Sequence, residues 1–70
     1  MAYQVEIHTK AVSSKVKERI EAARQLLSDF VDLPDREQAW DDLHRLTHDK
    51  DLFVRRRAVY VLGSAFQHVP

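Results

Sequence analysis

An all-α fold is what this sequence predicts, and three observations predict it. One glycine and two prolines in 70 residues leave few places for the chain to break, so elements are long and connections short. Apolar residues recur three and four apart over most of the chain, the spacing of a helix with one buried face. Cap residues stand where these patterns begin, and a proline stands where the first one stops.

Residues 1–12 are the exception. Tyr3, Val5 and Ile7 alternate with Gln4, Glu6 and His8, which is strand spacing. A lone short strand finds no partner in the chain. These residues therefore read as an N-terminal tail ordered by contact with another molecule, with a helical extension of the next segment as the alternative. Ser13 and Ser14 are N-cap candidates, with Glu18 near the capping-box distance. Val16, Ile20, Ala23, Leu27, Phe30 and Val31 then follow at helical spacing, sharing a face with Leu26 and Leu33. The opposite face is polar. This predicts a first helix over about 13–32, ended by Pro34.

Asp35 is the next N-cap, with Gln38 at the capping-box position. Ala39, Trp40, Leu43, Leu46 and Thr47 give the inner stripe of a second helix over 36–48. Asp49-Lys50-Asp51 is a polar turn, and Asp51 caps a third helix over 52–67. Its stripe is Val54, Ala58, Val61, Leu62, Ala65, Phe66 and Val69. The third helix also echoes the first. Arg19, Ala22, Leu26, Ser28, Phe30 and Pro34 recur as Arg55, Ala58, Leu62, Ser64, Phe66 and Pro70, always 36 residues on. A helix-pair repeat with a period in the thirties marks a helical solenoid.

Composition narrows the function classes. Eleven basic and eleven acidic side chains cancel, which argues against generic affinity for nucleic acid or for a membrane surface. There is no cysteine, so neither a disulfide nor a Cys-based zinc site is available. The apolar runs are too short to span a bilayer, and the N-terminus has no signal-peptide pattern. The expectation is a cytoplasmic protein. No Gly-rich phosphate loop, cysteine nucleophile or triad spacing is present, so an enzyme is not expected, nor a cofactor.

The run from Asp49 to Gly63 resembles the second half of a HEAT repeat, closest to the short HEAT-like repeats of prokaryotic and phycobilin-lyase-type proteins. Asp51, Val54, Arg55, Ala58 and Leu62 fit that pattern. Residues 35–70 then resemble one HEAT-like repeat, and 13–34 a capping half-repeat in which Glu18 stands where Val54 does. The resemblance implies a short right-handed α-solenoid of about three antiparallel helices that binds other macromolecules along its surface, without saying which. It also implies that Arg55 is structural, paired with a turn aspartate, Asp49, Asp51 or Asp35.

Three sets of residues are candidate sites. Arg55, Arg56 and Arg57 do not form one phosphate clamp, because ~100° per residue points them in different directions. Arg56, Arg57, Tyr60 and Gln67 share the outer face of the third helix, and Arg24 falls at the Tyr60 position of the earlier half-repeat. Tyrosine and arginine anchor interfaces, so this set is the expected partner-binding surface. An ordinary solvated face is the plain alternative. His44 and His48, one turn apart beside Glu37 and Asp41, have metal-chelating spacing, but a hydrated polar face accounts for them better and no metal is expected. Trp40 reads as packing between helices.

The function expected is a protein-interaction scaffold. The alternative is a nucleic-acid-binding module using Lys10, Lys15, Lys17, Arg19 and Arg24 together with Arg56 and Arg57. The apolar edge left by a single repeat calls for further repeats, a second copy or another protein. The chain is thus expected to belong to a longer array or to self-associate.

Overall fold

The computed structural model describes residues 2–66, and every regular element among them is helical. There are four α-helices, not three: α1 (Ala2–Ala11), α2 (Val16–Asp29), α3 (Arg36–Thr47) and α4 (Leu52–Phe66), with a 3₁₀ turn at Phe30–Asp32. α1 packs on α2 and α3. α4 packs on α2 and α3. Consecutive helices are joined by turns of a few residues, and the molecule measures 30 × 26 × 16 Å.

The expected tail is the first helix, and the strand reading fails on its own residues. Tyr3 and Val5 are exposed at 40% and 62%, whereas Gln4, Ile7 and Ala11 are buried. Their spacing of three and four is that of a helix face. A polar residue at position 4 hid this pattern. Gln4 is buried because both ends of its amide bond the backbone of Asp35: Nε2 donates to the carbonyl at 2.8 Å, and the Asp35 N–H donates to Oε1 at 3.1 Å. That exchange ties α1 to the start of α3. The Tyr3 hydroxyl donates to Asp29 and ties α1 to the end of α2.

The other boundaries follow local chemistry. α2 begins at Val16, slightly later than expected, with Lys15 at its N-cap and no side-chain cap. The Ser13 hydroxyl instead donates to Glu18 at 2.5 Å and accepts from the Lys15 N–H at 3.1 Å. The 3₁₀ turn closes the chain down ahead of Pro34. Asp35 caps α3 by accepting from the Gln38 N–H at 3.0 Å. Asp51 caps α4 by accepting from Phe53 and Val54 at 2.9 and 3.1 Å. Each such cap contributes about 1 kcal/mol.

One core runs through all four helices. Ile7, Leu26, Leu43, Leu46, Val54 and Val61 are its largest fully buried apolar members, each no more than 1% exposed. Burying a side chain of that size contributes about 1.5–3 kcal/mol. Trp40 packs at its edge, its ring T-shaped against Phe30 at 4.9 Å. No described helix is long and apolar enough to cross a membrane.

Candidate functional site

The outer face of α4 presents the set expected to meet a partner. Arg56, Arg57 and Tyr60 are all exposed, Tyr60 at 67%. Beside them stand apolar side chains that the sequence reading left out of the set: Phe53 is 69% exposed, Val59 58% and Leu52 47%. Val54, Ala58 and Val61 take the buried stripe of this helix, which leaves Leu52, Phe53, Arg56, Arg57, Val59 and Tyr60 exposed. Gln67 lies outside the described residues. Arg24 is exposed on α2, where its guanidinium grips both oxygens of Glu21 at 2.8 and 2.7 Å. That bond holds the Glu21 carboxyl below its ordinary range.

The expected ion pair is differently distributed. Arg55 is half-buried and donates Nη1 to the Asp49 carbonyl at 2.9 Å, not to a carboxylate. The Asp49 carboxylate belongs to Arg19, which donates Nε at 2.6 Å and Nη2 at 3.1 Å. Both side chains of that pair are more than nine-tenths buried. Asp49 also accepts from the Asp51 N–H at 2.8 Å, while the Asp51 side chain is spent on the α4 cap. Arg19 is one of the basic residues expected on a nucleic-acid surface. It is instead a buried cross-link between α2 and the turn before α4.

The two arginines nevertheless perform one shared task. Arg19 Nη1 donates to the Ser13 carbonyl at 2.9 Å, as Arg55 Nη1 does to Asp49. The Lys15 N–H donates to the Ser13 side chain as the Asp51 N–H does to that of Asp49. Every member of the first set lies 36 residues before its counterpart in the second. The burial differs in a regular way. Arg19 and Ala23 are buried on α2, but their counterparts Arg55 and Val59 on α4 are not. Val54 and Val61 are buried on α4, but their counterparts Glu18 and Gln25 are polar and half-exposed.

Asp42 carries no local signal that would single it out. It lies on α3 and is 1% exposed. His8 Nδ1 stands 2.8 Å from its Oδ1, and Gln38 Nε2 donates to the same oxygen at 3.2 Å. Oδ2 has no partner among the described residues. A buried carboxylate is costly unless held this way, so His8, which also stands 3.2 Å from Gln38 Nε2, fastens α1 to α3 while Gln38 supports Asp42 from within α3. The burial was invisible in sequence because His8 is 34 residues away.

His44 and His48 sit on the exposed side of α3, ring centroids 4.7 Å apart. His48 Nδ1 is directed at the His44 carbonyl at 3.1 Å. Among the described residues, no three of His, Cys, Asp or Glu are grouped to hold a metal ion, so Glu37 and Asp41 do not complete a ligand set. Comparison with known proteins leaves the geometry to speak for itself: no family model matches the chain, and no curated protein or solved structure does.

Proposed function

We propose that this chain is a HEAT-like helix-pair module that works as a protein-interaction scaffold in the cytoplasm, and not as an enzyme. On this reading α1–α2 is one pair, α3–α4 the next, and the pairs stack as a short right-handed solenoid. The correspondence of Arg19 with Arg55 and of Ser13 with Asp49, in bonds as well as in sequence, supports the stacking. The first pair is a whole pair, not a half-repeat, because α1 supplies its first helix.

The observation that carries the scaffold reading is the outer face of α4. Phe53 and Tyr60 are each about two-thirds exposed and flanked by Arg56 and Arg57. Exposed aromatic side chains with arginine beside them have the composition of an interface anchor. Among the described residues, neither ring belongs to the core.

Affinity capture from source-cell lysate, with and without nuclease, tests the proposal. A protein that the natural chain retains through nuclease treatment, and that Tyr60→Ala and Arg56→Glu lose while remaining helical, is the expected result. Retention by both variants removes the site. Recovery that disappears with nuclease supports the nucleic-acid reading, to be carried by Lys15, Lys17, Arg56 and Arg57, since phosphate-driven binding needs free cations and Arg19 is engaged.

A further inference from the structure

The side of α4 turned away from α2 is built like an interface with one half missing. Between the two pairs, α2 presents Arg19, Ala23 and Leu26, all buried, and Arg19 reaches across to Asp49. At the same register on α4 stand Arg55, Val59 and Leu62, with Val59 more than half exposed. Thr47, Leu52, Arg55, Arg56 and Val59 line a shallow, largely apolar recess there. Arg19 holds Asp49 through Nε and Nη2. The same two groups of Arg55 have no partner among the described residues.

We propose that this face docks a helix pair of a partner protein, one that presents an aspartate in the turn before its second helix as Asp49 is presented to Arg19. The aspartate meets Nε and Nη2 of Arg55, and small or branched apolar side chains cover Leu52 and Val59. The inference rests on the stacked-pair reading, and its recess adjoins the Tyr60 face, with which it shares Arg56 but not Tyr60. Two observations choose the occupant. The recess carries two arginines and no acid, so a carboxylate complements it. Its register also continues the interface already made between α2 and α4.

A second copy of this chain fits less well. The surface it would bring carries Lys10, Glu18 and Gln25 where the interior interface has Leu46, Val54 and Val61, all three fully buried. It carries Ser13 where an aspartate is wanted. Burying those polar groups against Val59 and Leu62 leaves them unsatisfied.

The probe is a synthetic peptide of residues 35–66, titrated into the ¹⁵N-labelled full chain and followed by NMR. Shifts should concentrate at Thr47, Leu52, Arg55, Arg56 and Val59. Asp49→Asn in the peptide, or Arg55→Gln in the chain, should each weaken binding about tenfold or more. Tyr60→Ala in the chain should leave it unchanged, which separates this face from the outer one. A free peptide must fold as it binds, so the same segment is also joined after Pro70 by a flexible linker, raising its effective concentration to the millimolar range. Absence of shifts in both formats overturns the proposal, as does binding indifferent to Asp49→Asn. Shifts at Ile7 and Ala23 would mean that the peptide displaces α3–α4 and would equally overturn it. So would concentration-dependent shifts of the chain alone at the same residues, which would name a second copy as the occupant.

Discussion

Arg19 and Arg55 stand at the same point of their helices, and each donates Nη1 to the carbonyl of a residue six positions earlier. Arg19 is 6% exposed and bound to the carboxylate of Asp49 in the turn before α4, whereas the rest of the Arg55 guanidinium has no partner among the described residues. The contrast teaches what belongs to the pair and what belongs to its neighbour. The local bond is written into each pair by its own sequence. On the proposed stacking, the ion pair needs a second pair on the correct side, and only the first pair has one among the described residues. The same division runs down the helices: Leu26 is fully buried, and its counterpart Leu62 only partly.

That last pair offers the largest test of the comparison. Leu26→Ala should cost about 2–5 kcal/mol of stability, the range for emptying a packed site. Leu62→Ala should cost less than half as much, since water already reaches it. Urea unfolding of the two variants reads the difference, and a Leu26→Ala chain already unfolded in buffer counts as the large effect. Equal losses would mean that the two positions are not distinguished by a missing neighbour.

Acid should sharpen the contrast next. Burial alone pushes the Asp49 carboxyl up, but the Arg19 guanidinium and the Asp51 N–H outweigh it and hold the group below its ordinary range. A carboxyl so depressed binds fewer protons folded than unfolded. Its contribution is therefore complete above the unfolded value near 3.9 and is lost as pH falls through the folded one. The natural chain should weaken below about pH 4. Asp49→Asn should be about 2 kcal/mol less stable at neutral pH and lack that part of the acid slope. Thermal unfolding between pH 2 and 7 checks both, and parallel slopes would contradict the assignment.

The smallest effect concerns α1. Its hydrogen bond to Asp29 pushes the Tyr3 phenol up to about 12. A phenol raised this way contributes stability below the unfolded value near 10 and loses it as pH rises towards the folded one. Ala39 stands at the same register of the second pair, so this tether is peculiar to the first. Tyr3→Phe should remove a late phenolate absorbance step above about pH 11 and change neutral-pH stability only slightly. A late step that survives the substitution would assign it elsewhere.

Much of this was legible in sequence, and the exceptions share a cause. Pro34, Asp35 and Asp51 marked helix ends correctly because caps act on their nearest neighbours. The recurrence of Arg19 as Arg55 was visible for the same reason. α1 was not legible, because three alternating apolar residues fit a strand while the true stripe begins with glutamine. Gln4 is buried by a bond to Asp35, and Asp42 by one to His8, both more than thirty residues distant. The expected carboxylate partner of Arg55 went to Arg19 because pairing is decided by which helices stack. On α4, the exposure of Arg56, Arg57 and Tyr60 could be read from the helical period. Phe53 and Val59 could have been added by the same count.

The most direct test of the account is the paired urea unfolding of Arg19→Met and Arg55→Met. Breaking a buried, doubly bonded pair leaves Asp49 uncompensated, so Arg19→Met should cost about 3 kcal/mol. Arg55→Met removes one bond to a carbonyl and should cost about 1 kcal/mol. A loss at Arg55 equal to that at Arg19 would contradict the claim that the second pair is built like the first and lacks only its neighbour.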